Sequence, residues 1–285
     1  MANDKLIKGR IRSTRNIAQI TRAMQMVAAS KMKKATEKAL SGRPYADKIL
    51  EVTREFAQRV EANAHPLLRR TGEGKIAVVL LSTNKGLCGG LNSNLFRFLN
   101  KWLEKNQQYE FITVGKKGKT FAVRTQSTLI ADFSETIPFT HSITALTSLI
   151  VEGFLNNTYK EVYVIYNNFI SAVSQVPTFK RILPIVGLTN ETEKEKTHLE
   201  LEMLIEPSID AILDTLLFHY LENQIRDAVL EAEASEHSAR MVAMKNATDN
   251  AKELTELLTL EYNKARQQKI TFEIADLVTA RLAVE

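Results

Sequence analysis

The last 78 residues, Ser208 to Glu285, contain neither proline nor glycine. A run this long without a helix breaker, with apolar residues at Ile209, Ile212, Leu213, Leu216, Leu217, Tyr220 and Leu221 and again at Ala247, Ala251, Leu254 and Leu258, reads as one α-helix. At about 1.5 Å per residue it would measure about 117 Å, more than an ordinary domain can enclose. Most helical stability in proteins comes from burying an apolar face, so such a helix needs a partner outside any globular body.

The start of the chain supplies a candidate. From Lys5 to Gly42 the only breakers are Gly9 and Gly42, near the edges of the run. Ile17, Ile20, Met24 and Val27 recur at spacings of three and four, and Ala28, Met32, Ala35 and Ala39 carry the stripe onward. The predicted seam is narrow and lined by small residues. Helix resumes after Arg43-Pro44 and runs to about Ala62, with His65-Pro66 as a stop.

Residues 75–205 follow a different pattern. KIAVVLLS is a continuous β-type run, TNKGLCGG a glycine-bearing turn, and LNSNLFRFLNKWLEK has helical spacing. FITVG, STLIAD and EVYVIYN are further strand candidates, with helices expected around Lys119 to Arg124 and Ser142 to Asn156. Alternating strands and helices imply a small open α/β sheet with parallel strands. AVSQVPTFKRILPI reads as an extended segment antiparallel to its neighbour, and TNETEKEKTH as a charged loop. The first long helix enters this body and the last one leaves it, so if they meet on one side they are antiparallel. The predicted fold is therefore a long antiparallel two-helix coiled coil, residues 1–62 and 207–285, flanking a central, open, Rossmann-like α/β domain at 75–205. The C-terminal arm is the longer by roughly twenty residues, which leaves about 30 Å of helix beyond the pair.

Charge is polarised along the chain. Residues 1–60 hold fourteen Lys and Arg against five Asp and Glu, leaving +9 there and −4 over the rest. That excess points to an anionic partner, with a basic coiled-coil nucleic-acid-binding protein as one reading and a solvated helix face as the plain one. A single cysteine, Cys88, excludes an internal disulfide and fits a reducing compartment. No signal-peptide core opens the chain, and no apolar run approaches the roughly 20 residues that span a bilayer.

The residues offer little for covalent chemistry. VGKKGKT, 114–120, ends like a phosphate-binding loop at Gly118-Lys119-Thr120, but the glycine required five positions before Gly118 is Thr113. Gly86, Gly89 and Gly90 lack the dinucleotide spacing and suit a tight strand-to-helix turn. His65, His141, His198, His219 and His237 never fall at metal-ligand spacing with one another or with Cys88, and read as single exposed polar residues. No catalytic, cofactor or metal site is expected.

Three stretches, IKGRIRSTRNIAQITRAMQMVAASKM, STNKGLCGGLNSNLF and SEHSARMVAMKNATDNAKELTELLTLEYNKARQQKITFEI, closely resemble the gamma subunit of F-type ATP synthases, collinearly from end to end. The resemblance implies a rotor. Its coiled coil would lie on the axis of a hexamer of alpha and beta subunits, and its α/β foot would meet the epsilon subunit and the c ring. Rotation would couple ion flow to ATP synthesis or hydrolysis in the beta subunits, with no nucleic acid involved. The chain itself would be non-catalytic and peripheral, on the cytoplasmic side of the bacterial cell membrane.

The same resemblance supplies contact residues. Flexible Met24 and Met26 would adapt to changing neighbours, and Arg22, Lys31, Lys33 and Lys34 would face acidic loops of beta. Arg266, Gln267, Thr271 and Glu273 match positions that touch a catch loop of beta, and Arg240 matches a contact with its acidic lever region. Asn84-Lys85 stands where family members usually have Asp-Arg, so the acid is lost while Lys85 retains the positive charge. Phe272 replaces a common glutamine, and Arg281 and Glu285 put charges on the tip.

Overall fold

The computed structural model describes residues 2–59, 65–69, 74–104, 109–185 and 209–282. The charged loop expected at 189–198, with His198, lies outside them. So does Glu285. Helix α1 spans Ala2–Arg59 and helix α5 spans Ile209–Leu282. Between them come β1 (Lys75–Leu81), α2 (Leu91–Leu103), β2 (Tyr109–Val114), α3 (Lys116–Arg124) and β3 (Leu129–Asp132). A 3₁₀ turn at Phe139–Ser142 follows, then α4 (Ile143–Leu155), β4 (Tyr159–Phe169) and β5 (Gln175–Leu183). The chain forms two compact units, Ser30–Ala239 and Met1–Ala29 with Arg240–Glu285.

The larger unit holds a five-stranded sheet ordered β3-β2-β1-β4-β5. β1, β2, β3 and β4 are parallel, and β5 returns antiparallel to β4 as an edge strand. Strand β1 is buried along nearly its whole length, which is why KIAVVLL is a continuous apolar run and not an alternating one. Ile76, Val78 and Leu80 meet Leu95 and Leu99 of α2 and Ala122 of α3 on one face. Ala77, Val79 and Leu81 turn to the other face, where Ile143, Leu146, Ile150 and Phe154 of α4 pack with Leu213, Leu217, Leu221 and Ile225 of α5. The start of α5 is thus a core helix of the sheet domain.

The largest boundary difference from the sequence reading is in α1. Helix α1 does not break at Arg43-Pro44 but continues through Pro44. A helical proline removes one N–H and leaves the carbonyl four residues earlier without its partner. Here that carbonyl belongs to Leu40, itself 57% exposed, and Pro44 is exposed too, so water can take the missing bond.

The smaller unit pairs the beginning of α1 with the end of α5, and its seam is the predicted one only in part: Ala28 and Ala251 are buried and Met24, Ala247 and Leu258 half-buried, as expected, but the isoleucines and Val27 are not. Ile17, Ile20 and Val27 are 50%, 59% and 56% exposed. Among the less exposed positions Ile7, Ile11, Thr14, Ala18, Thr21, Gln25 and Ala28 follow an alternation of four- and three-residue steps, with Met24 and Ala29 half-buried beside them. On α5 the same steps run through Met241, Met244, Thr248, Ala251, Thr255, Leu258, Tyr262, Ala265 and Lys269, with Val242, Ala243, Ala247 and Thr259 half-buried beside them. The two helices are joined by a hydrogen bond between the Thr21 and Thr248 hydroxyls, 2.7 Å apart. A hydrophobicity pattern selects the Ile–Val stripe because it is more apolar than the Thr–Ala seam one residue further on.

Candidate functional site

In an open α/β sheet the place to look for a ligand is the carboxyl edge of the strands, at the point where strand order reverses. Here that point lies between β1 and β4, and the chain itself fills it. Leu81 at the end of β1, Ser82 and Thr83 after it, Asn167 near the end of β4, and Val229, Ala232 and Glu236 of α5 leave a cavity of only about 10 Å³. The Ser235 hydroxyl of α5 donates to the Asn167 carbonyl at 2.8 Å, fastening the helix over the crevice.

The lysine-rich turn before α3 is occupied in the same way. A phosphate cradle needs free N–H groups at a helix start. The Lys116 N–H donates to Asn84 Oδ1 at 2.8 Å, the Lys117 N–H to the Thr83 carbonyl at 3.1 Å, and the Gly118 N–H to Ser82 Oγ at 2.7 Å. Gly115 opens the turn at φ +103°, where a Cβ would come 2.1 Å from the Ser82 carbonyl oxygen. Its job is close approach of two backbones, not room for a phosphate.

Asn84 is the centre of this arrangement. Its Nδ2 donates to the Ser134 carbonyl at 3.0 Å while its Oδ1 accepts from Lys116, so one neutral amide ties three loops together. An aspartate could accept from Lys116 but could not donate to Ser134. The neighbouring Lys85 is exposed, and its carbonyl accepts from the Thr83 hydroxyl at 2.8 Å. Asn92 of α2 donates to Thr83 Oγ1 at 2.8 Å and to Cys88 Sγ at 3.4 Å, bracing the rest of the turn.

Two clusters of titratable groups lie in this unit. Burial raises the Asp132 carboxyl, but Lys119 at 2.9 Å and hydrogen bonds from Ser134 and Thr113 outweigh it, and the net shift is downward. The bond to Asp132 raises Lys119 in turn. Between β4, β5 and α5, burial pushes Tyr166, Asp227 and Glu231 up and Lys180 down. His65, expected to be a lone exposed residue, instead bonds Asp214 Oδ1 through Nε2 at 2.7 Å, with its side chain 13% exposed. Among the described residues no cluster of His, Cys, Asp or Glu could hold a metal ion. No helix among them is long and apolar enough to cross a membrane.

The expected contact residues fall on different surfaces. Met24 is half-buried beside the seam of the smaller unit. Lys31, in the larger unit, is exposed and close enough to α5 to offset part of the upward shift that burial and Glu236 impose on Glu233. Arg240 is half-buried, whereas Arg266, Gln267, Thr271 and Glu273 are all exposed. The Thr271 hydroxyl donates to the Gln267 carbonyl, and Lys269 lies 3.6 Å from Glu273, a surface pair of little energetic weight. From Ile270 onward no described side chain is buried, Phe272 and Leu277 being 70% and 71% exposed. This leaves twelve described residues, Ile270 to Arg281, about 18 Å of helix, without cover, less than the expected 30 Å.

A family model described as ATP synthase matches residues 3–284. The gamma chain of the ATP synthase of Roseiflexus castenholzii is 41% identical over all of this chain and 99% of its own length. That of Desulfitobacterium hafniense is also 41% identical, over the whole of both chains. The chain belongs to the ATP synthase gamma chain family. Among solved structures it is similar to a chain from the central stalk and c-ring structure of Tetrahymena thermophila mitochondrial ATP synthase. The identity is 27%, the TM-score 0.60, and 80% of this chain and 99% of that one are covered. A chain of the Euglena gracilis mitochondrial ATP synthase shares the fold, with a TM-score of 0.71 at 21% identity over 99% of this chain and 95% of that one. Family membership decides between the two readings of the basic N-terminal segment, against nucleic acid.

Proposed function

We propose that this chain is the central rotor stalk of an F-type ATP synthase, passing rotation between an ion-driven c ring and a hexamer of alpha and beta subunits. In this reading the chain performs no reaction. Torque is carried by contact, through the helical arms 1–62 and 207–285, while the α/β domain, 75–205, forms the foot that meets epsilon and the c ring. The complex holds the chain against the cytoplasmic side of the bacterial membrane.

The observation that carries this reading is the second apolar stripe of α1. Ile17, Ile20 and Val27 stand exposed beside a seam of threonine and alanine, and Ile270, Phe272, Ile274, Leu277 and Val278 stand exposed on α5. Apolar surface left uncovered at this density belongs against another protein. Met26, 61% exposed beside that stripe, adds a flexible side chain able to adapt to changing neighbours. Lys31 and Arg240 would then meet acidic loops of beta, Arg266, Gln267, Thr271 and Glu273 its catch loop, and Lys85 a neighbour of the foot. The test is to purify the tagged chain from membranes of its own source. ATPase-active alpha and beta subunits should accompany it in a fixed ratio, and removal of 270–285 should uncouple hydrolysis from ion pumping. Recovery of the chain without them, or unaltered coupling, would defeat the proposal.

A further inference from the structure

The His65 ring is held at both of its nitrogens. Nε2 lies 2.7 Å from Asp214 Oδ1 of α5, and Nδ1 lies 3.1 Å from the backbone nitrogen of Leu67 in the same turn. A backbone N–H can only donate and a carboxylate can only accept. Nδ1 is therefore an acceptor without a hydrogen, and Nε2 carries the proton. Both bonds form together only when the ring is neutral.

The turn that the ring closes joins three segments of the larger unit. The Leu68 and Arg69 N–H groups donate to the His65 and Pro66 carbonyls at 3.0 and 3.3 Å, and the Leu67 carbonyl accepts from the Ile185 N–H, just beyond β5, at 2.9 Å. Leu67 is 3% exposed, in the core that also holds Phe56 of α1 and Leu213 and Leu217 of α5. The His65 side chain is 13% exposed and that of Asp214 74%. Among the described residues Asp214 is the one charged group in contact with the ring. No titratable side chain of α1 or β5 bonds to it, and Arg69 of the same turn is exposed.

We propose that His65 is a proton-operated clasp on this turn. A ring that takes up a proton at Nδ1 has two N–H donors and no acceptor. It keeps its bond to Asp214, now an ion pair, but sets an N–H against the Leu67 N–H, and that bond is lost. Water screens the gain at the exposed carboxylate, whereas the amide of a buried residue is left without its acceptor. Histidine is the side chain whose charge ordinarily changes between about pH 5 and 8, so mild acidification trades a contact within the turn for a stronger one to α5. The turn loosens at Leu67, and with it the attachment of the chain that follows β5. This inference concerns the turn alone and stands whether or not the chain rotates.

Hydrogen exchange at one amide of the full-length chain tests it. Proline followed by leucine occurs once in the sequence, at Pro66-Leu67, so carbonyl-labelled proline combined with nitrogen-labelled leucine isolates the Leu67 amide by NMR. Its protection, corrected for the intrinsic exchange rate, should fall roughly threefold to tenfold from about pH 7.5 to about pH 5, as expected for losing about one net hydrogen bond. Asp214→Asn removes the charge that favours the protonated ring and should move the fall to lower pH. His65→Asn keeps an acceptor for an N–H two residues on but does not titrate in this range, so its protection should stay level. Protection in the parent that holds steady down to about pH 5 overturns the proposal. A fall of the parent's size in His65→Asn overturns it too, because the proton would then act elsewhere.

Discussion

The same two helices are built in two different ways along their length. In the larger unit α5 buries Leu213, Leu217, Leu221, Ile225 and Val229 against the sheet and α4. In the smaller unit it buries Met244, Thr248 and Ala251 against α1, and the bulkier Leu254, Leu257 and Leu260 stay outside. One half is anchored by filling volume. The other is aligned by small and polar residues while its larger apolar side chains face outward. A chain gains from this division when one end must be fixed to a domain and the other must present apolar surface to something else.

The contrast is sharpest in core truncation. Leu217→Ala should cost about 2–5 kcal/mol, because Leu217 is fully buried in a core that cannot collapse around the loss. Urea unfolding followed by fluorescence of Trp102, which lies on α2 of the same unit, reads that unit directly. A cost below about 1 kcal/mol would mean that α5 is not part of the sheet core.

Asn84→Asp should cost about 1–3 kcal/mol in the same assay, since the Ser134 carbonyl loses its donor and a carboxylate is set against it. A neutral result would mean that the loop re-forms around an acid without the Ser134 bond.

Acid stability offers a smaller effect with a defined sign. The folded-state pKa of Asp132 is depressed from its ordinary 3.8, so its contribution is present above that value and disappears as pH falls through the lower folded value. Asp132→Asn should therefore be less stable than the parent at neutral pH, with the gap closing below about pH 4. Lys119, raised from 10.5, behaves oppositely, its contribution fading as pH climbs beyond that value. A gap independent of pH between 2 and 7, measured by urea unfolding, would show that the carboxylate charge is not what matters, on the same linkage argument.

The smallest effect should come from the tip. Phe272→Ser removes a side chain that touches little of its own chain and should alter unfolding by less than about 0.5 kcal/mol. A larger change would mean that residues beyond Ile270 have an intramolecular partner in solution.

Much of the fold was legible because its signals are local. The apolar run of β1, the spacing of α2 and the breaker-free 78 residues each point to one structure without knowledge of the others. The seam was legible only in part, for a physical reason. Hydrophobic patterning follows the most apolar stripe, and in the smaller unit that stripe, Ile17 to Val27, faces out while Thr14, Ala18 and Thr21 face in. Continuation through Pro44 was hidden because it depends on whether the Leu40 carbonyl reaches water. The Asn84 clamp and the His65–Asp214 bond join residues far apart in sequence, and no local pattern announces them. The contact residues were legible only through family resemblance, since exposed side chains such as Arg266 and Gln267 carry no signature of their own.

The central claim is that this chain turns as an axle inside a ring of ATPase subunits. A bead attached through a cysteine at Val173, which is 81% exposed in the α/β unit, can be watched on surface-immobilised complex during ATP hydrolysis. The account predicts steady rotation of the bead in one direction, stopping when ATP is exhausted. Continued hydrolysis with a stationary bead would contradict it.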